Sequence, residues 1–149
     1  MPTVFPYIVV TDFPKHQNRR RALPWVRFGI FNPRRPNKIL YPLGLVDSGA
    51  DITVIEREFG EELLFEIEKG QKDKIIGYGG SSVPVYYHNV GFLIEDLNQT
   101  VVKTYTSGVG FTADTFPKTM PQQTAILGRQ GFFDKFSVTF NHPENITVE

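Results

Sequence analysis

Apolar residues fall in short runs, many alternating with polar ones and most bounded by glycine or proline, a pattern of strands rather than helices. PWVRFGIF (24–31) and ILYPLGLV (39–46) read as strands, with the proline-rich NPRRPNK (32–38) as a loop between them. DITVI (51–55) is a further strand. KIIGYGGSSVPVYY (74–87) reads as a hairpin with a glycine-rich tip, and VGFLIEDL (90–97) and TVVKTYTSGVGF (100–111) follow as strands. DTFPKTMPQQT (114–124) is a loop, AILG (125–128) a short buried strand, and FSVTF (136–140) a strand that ends before Pro143. Two segments are expected to be helical. EREFGEELLFEIEKG (56–70) has Leu63, Leu64 and Ile67 at helical spacing and Gly70 to stop it, and RQGFFDKF (129–136) suits one or two turns.

Together these elements predict an all-β domain over residues 23–141 with one or two short helices. Residues 1–22 read as an N-terminal extension, in which TVFPYIVV (3–10) is demoted to an edge strand by Pro6 and KHQNRRRA (15–22) is a basic, mobile connector. Residues 142–149 read as a C-terminal tail.

The composition narrows the chemistry. At 149 residues the chain suits one domain with a real core. Its 16 basic and 16 acidic side chains cancel, so neither nucleic acid nor an anionic membrane is an expected partner. The RRR run at 19–21 reads as a solvated loop. With no cysteine, disulfides and thiolate nucleophiles are excluded, and His16, His88 and His142 are too scattered for a metal site. No cofactor is implied. The apolar start VFPYIVV lacks a basic leader and is too short to span a bilayer, so the expected setting is cytoplasmic.

Three stretches carry candidate chemistry. In GLVDSGADITVI (44–55) an aspartate, Asp47, leaves an apolar run and the chain turns on Ser48, Gly49 and Ala50. A carboxylate at a strand end is partly desolvated, Gly49 allows close backbone approach, and Asp51 and Thr53 can tie the turn to itself or to a ligand. IIGYGGSSVP (75–84) has neither the Lys-Ser/Thr ending nor the following helix of a phosphate-binding loop. It suits a flexible hairpin tip, or a plain surface hairpin. In AILGRQGFFDKF (125–136) Gly128 suggests a strand passing tightly against something else. Taken singly, the first reads better as an ordinary Asp-Ser-Gly turn, the second equally well as a plain surface hairpin, and the third simply as core.

Their order resembles that of the retropepsin-type aspartic proteases, over about residues 24–141. DSGADITVI follows the pattern D-[ST]-G-A-D-x-T-V-[IL] without a gap, the GYGG hairpin resembles the flap, and AILGRQ resembles the hydrophobic-hydrophobic-Gly-Arg segment. The resemblance implies a closed β-barrel of the acid-protease fold and an aspartic endopeptidase. Asp47, Ser48 and Gly49 would be catalytic, and Ala50, Asp51, Val54, Ile76, Gly77, Tyr78, Gly79 and Ile126 would contact a peptide or protein substrate. Thr53, Gly128 and Arg129 would support the site, Arg129 by pairing with Asp51 to brace a dimer.

Aspartic proteolysis takes two carboxylates around one water. No second Asp-Ser/Thr-Gly follows: Asp114 precedes Thr115 and Phe116, and Asp134 precedes Lys135. The chain therefore carries half a site, and a two-fold homodimer with Asp47 facing its symmetry mate is expected. A peptide-binding dimer with little or no proteolytic activity is the alternative, and a non-enzymatic β-barrel scaffold a third.

Overall fold

The computed structural model describes residues 2–11, 20–77, 79–114 and 122–149. Among the described residues, fourteen strands and little helix make the fold all-β. They are β1 (Thr3–Pro6), β2 (Ile8–Thr11), β3 (Arg20–Leu23), β4 (Trp25–Arg27), β5 (Gly29–Asn32), β6 (Arg35–Leu40), β7 (Leu43–Val46), β8 (Val54–Ile55), β9 (Gln71–Ile76), β10 (Ser82–Glu95), β11 (Val101–Thr112), β12 (Ala125–Leu127), β13 (Val138–Asn141) and β14 (Asn145–Val148). Nine of them form one sheet in the order β4-β7-β12-β8-β11-β10-β5-β6, with β9 added beside β10. That order runs between two end strands among the described residues, so closure into a barrel stays an expectation.

The long β10 organises the sheet. One edge pairs with β11 almost throughout, while the other pairs first with β9 (82–87) and then with β5 (91–93). Its first half thus projects as the hairpin expected from the glycine-rich stretch. Gly79 and Gly80 take φ of 88° and 83° at the tip, the left-handed region open to glycine at least cost. Phe28, Phe92, Phe111, Phe132 and Ile146 are fully buried in the main core.

Several expectations are corrected. Only Pro33 and Arg34 turn between β5 and β6, because Arg35 already pairs with Asn32. The helix expected over 56–70 is a six-residue α1 (Arg57–Glu62) and a separate 3-10 turn, Ile67–Lys69. Its stop is not Gly70. Phe65 N–H donates to Gly60 C=O and Leu64 N–H to Glu61 C=O, both at 3.0 Å, a Schellman closure that puts Leu64 in the left-handed region at φ 66°. A leucine there costs about 1–2 kcal/mol where glycine would not. Residues 129–136 coil through turns without forming a helix, although Phe136 N–H does reach Phe132 C=O at 3.1 Å. Arg20–Ala22 of the supposed connector belongs to strand β3, paired with β2, while residues 15–19 and most of the 114–124 loop lie outside the described residues.

Both ends of the chain enter one small sheet, β1-β14-β13. Phe5 pairs in register with Ile146, and both are buried in the main core together with Tyr7 and Val148. The assigned extension and tail therefore share the core of the 23–141 segment and do not hang free. Among the described residues no helix is long and apolar enough to cross a membrane.

Candidate active site

Asp47 is delivered by a crossing of short strands. β12 lies between β7, to which it runs parallel (Leu127 opposite Val46), and β8, to which it runs antiparallel (Ile126 opposite Val54). Asp47 follows directly where β7 ends, its N–H donating to Leu127 C=O at 3.0 Å. The turn then closes on itself: Gly49 N–H donates to Asp47 Oδ1 at 2.9 Å, and Ala50 N–H to Asp47 C=O at 3.2 Å. One carboxylate oxygen is thereby oriented by the backbone. Asp47 is half-buried and Ser48 and Gly49 are exposed, so the turn lies at the surface.

A second layer fixes this turn against the loop after β12. Arg129 N–H donates to Ala50 C=O at 2.8 Å and Gln130 N–H to Asp51 C=O at 3.0 Å. The Arg129 guanidinium also pairs with Asp51 within the same chain, with both side chains exposed. Fully buried Thr53 stitches the two loops more tightly. Its hydroxyl donates to Gln130 C=O at 2.9 Å and accepts Gly128 N–H at 3.1 Å, while its own N–H also donates to Gln130 C=O at 3.0 Å. Thr53→Val keeps the shape and strands the buried Gly128 N–H, so urea denaturation should show a loss of about 1–3 kcal/mol. Thr53→Ser, which keeps the hydroxyl, should recover most of it.

The sequence reading missed the support behind this layer. Tyr105 stacks on Phe92 with ring centroids 4.9 Å apart and donates its hydroxyl to Gly131 C=O at 2.7 Å. Gly131, at φ 105°, donates its N–H to Asp134 Oδ1 at 3.0 Å. Burial first, and the Asp134 charge second, push the Tyr105 phenol well above its usual range. A phenol with a raised pKa in the folded state contributes stability that is complete below about pH 10 and is lost as pH rises beyond it. Stability should fall by up to ~1.4 kcal/mol per pH unit for this proton above that point. Tyr105→Phe should remove its share of the slope, leaving the smaller shares of Tyr41 and Tyr87, which are also raised. Chemical denaturation at pH 9 and pH 11 measures the difference.

Val54 is buried with Ile52 and Val85, and Ile75, Tyr87 and Ile126 pack on them, so one apolar cluster joins the Asp47 segment to the root of the β9–β10 hairpin. At the hairpin tip Gly77 N–H donates to Ser81 C=O at 2.8 Å, Gly79 and Gly80 have open space around them, and Ile76 is 70% exposed. Tyr78 lies outside the described residues. Asp47, Ser48, Gly49, Ala50, Asp51, Thr53, Gly128 and Arg129 are thus assembled in two interlocked loops, with Val54 and Ile126 beside them. Ile76, Gly77 and Gly79 belong to a separate projecting hairpin.

No family model and no curated protein matches the sequence. Among solved structures, the chain is similar to a retropepsin-like aspartic protease from Rickettsia conorii, with a TM-score of 0.50 and 13% identity over 99% of this chain and 93% of that one. It is also similar to EIAV protease complexed with the inhibitor HBY-793, with a TM-score of 0.41 and 21% identity over 72% of this chain and 82% of that one. The fold is that of the retropepsin-like proteases, as the order of the three motifs implies.

Proposed function

We propose that the chain is one half of a homodimeric aspartic endopeptidase in which Asp47 of each protomer contributes one carboxylate. The observation that carries this reading is the surface Asp47 turn, oriented by Gly49 N–H and set at the strand crossing, in a chain with a single Asp-Ser-Gly. The Rickettsia protease of the same fold supports it.

Two carboxylates in contact share one proton. The ionised oxygen takes a proton from the water between them, and the water oxygen bonds to the scissile carbonyl carbon. The protonated carboxyl gives its proton to the carbonyl oxygen, producing a neutral tetrahedral diol. Collapse of the diol breaks the C–N bond: one diol hydroxyl returns its proton to the second carboxylate as the C=O re-forms, and the leaving nitrogen takes up the proton held by the first carboxyl. Ser48 would bond across the pair to keep the turns coplanar. Gly49 would accept the substrate backbone, and Ala50 and Asp51 would line the cleft. The Asp51–Arg129 pair would brace the loop at the dimer axis, with Thr53 and Gly128 holding it from behind. Val54 and Ile126 would wall the side-chain pockets, favouring apolar residues around the scissile bond. Ile76, Gly77, Tyr78 and Gly79 would close over the substrate as a flap.

The test is digestion of a diverse peptide mixture from mildly acidic to neutral pH, read by mass spectrometry at several protein concentrations. Cleavage at apolar pairs is expected, with activity per protomer rising as sedimentation shows the dimer forming. Full activity from a strictly monomeric species would overturn the shared site.

A further inference from the structure

A groove of about 1060 Å³ opens on a different part of the surface, between the β5–β6 turn, the end of α1 and the base of the β9–β10 hairpin. None of its lining residues comes from segments 47–55 or 125–131. Its two walls are locked together by one side chain. Buried Asn32 donates Nδ2 to Leu63 C=O at 3.0 Å, and its Oδ1 accepts Arg34 N–H at 3.0 Å. The turn that carries Arg34 and Arg35 is therefore held beside Leu64 on fixed backbone. The third side is the hairpin root, where His88 Nε2 lies 2.9 Å from Ile67 C=O and the His88 ring packs edge-on to Phe65 at 5.4 Å.

The charges in this groove do not balance locally. Glu66 pairs with Lys69 at 2.7 Å and Glu61 at 3.5 Å with Arg57, which it shares with Glu68 at 2.7 Å, so both carboxylates of the lining already face a cation. Arg34 and Arg35 have no ion-pair partner among the described residues. Their field reaches Glu66, whose carboxyl is held below the usual range by Lys69 first and by Arg35 and Arg34 after it. Next to them Leu64 is 60% exposed in the left-handed conformation that glycine would take more easily. Burial does not explain a leucine at that position, but an apolar contact made in the groove would.

We propose that this groove binds a peptide segment carrying a carboxylate close to a bulky apolar side chain. Arg34 and Arg35 receive the carboxylate, Arg being suited to paired hydrogen bonds with it, and Leu64 and Phe65 receive the apolar group. Because Gln71 and Tyr87–Asn89 line the same groove, the bound segment rests on the root of the projecting hairpin.

The test uses the full chain carrying Asp47→Asn, so that hydrolysis cannot consume the probe. A fluorescein-labelled, end-blocked hexapeptide of alternating glutamate and leucine is titrated by anisotropy at low salt, beside its glutamine-for-glutamate counterpart. Expected are at least tenfold tighter binding of the acidic peptide and a similar loss in Arg34→Gln/Arg35→Gln. A smaller, severalfold loss is expected in Leu64→Gly, a change that relieves the backbone and keeps the protein folded. Equal binding of the two peptides, or undiminished binding by the arginine variant, would overturn the proposal. An effect of the arginines with none from Leu64, together with equal displacement by inorganic phosphate, would overturn it in favour of a bare anion site. Since the probe reports binding at a groove outside the Asp47 loops, failure here and failure of the protease reading are separate results.

Discussion

Asp47→Asn is expected to lower kcat/KM by at least about a thousand-fold while leaving peptide affinity and stability nearly unchanged. The asparagine side chain retains the Oδ1 that accepts Gly49 N–H at 2.9 Å, so the turn should persist. The other carboxylate oxygen becomes an NH₂ that can neither accept the proton of water nor pass one to a carbonyl oxygen. The effect falls on both halves of the proposed dyad at once. A change in stability within about 0.5 kcal/mol, measured by urea denaturation, would show that chemistry and not folding was removed.

The same variant examines the dimer. In an equal mixture of wild type and Asp47→Asn, after subunit exchange, about a quarter of dimers keep two carboxylates, so total activity should fall to about half that of the unmixed proteins. Unchanged activity would mean that each chain works alone. Peptide binding by both proteins with hydrolysis by neither would favour the peptide-binding dimer. Equal hydrolysis by both would remove Asp47 from the mechanism.

What the sequence made legible is what short-range chemistry encodes. The Asp47 turn is marked by a carboxylate whose Oδ1 accepts the N–H of a glycine two residues on, and the projecting hairpin needs glycines where φ is positive, so both could be read without a structure. Elements set by distant contacts were not readable. A Schellman closure is normally marked by glycine, and Leu64 hides it, so one long helix was expected where two short pieces stand. β6 begins two residues after a proline because Asn32 pairs with Arg35, a tertiary register that proline content argued against. Tyr105 lies 26 residues from the Gly131 carbonyl it holds, and nothing near it in sequence announces the role. The basic stretch before β4 looked solvated, yet Arg20–Leu23 pairs with β2 because a strand partner outweighs local charge.

Gly128→Ala should be strongly damaging, with a loss of about 3 kcal/mol or more. A Cβ built on Gly128 would lie 2.6 Å from the Ile52 carbonyl carbon, inside contact distance of the Ile52 carbonyl oxygen, and 2.9 Å from the Ala50 oxygen. All three are backbone atoms, so no rotamer change can move them aside. They cannot retreat cheaply, since Ala50 C=O accepts Arg129 N–H at 2.8 Å and the neighbouring Thr53 bonds Gln130 C=O at 2.9 Å. Gly128 N–H is itself held by Thr53 Oγ1 at 3.1 Å, so displacing the strand breaks the stitch that spaces the two loops. Gly44 offers a comparison: the atoms nearest a Cβ there belong to the Leu127 and Phe28 side chains, at 2.9 and 3.0 Å, which can shift. Gly44→Ala should therefore cost clearly less. Urea denaturation of the two variants measures the difference, and equal losses would mean that the close approach of the 50–52 backbone to Gly128 does not set the geometry of the site. A folded Gly128→Ala protein, recovered at low temperature, should still show reduced hydrolysis, because moving the Asp47 turn by a fraction of an ångström would misalign the two carboxylates of the proposed dyad.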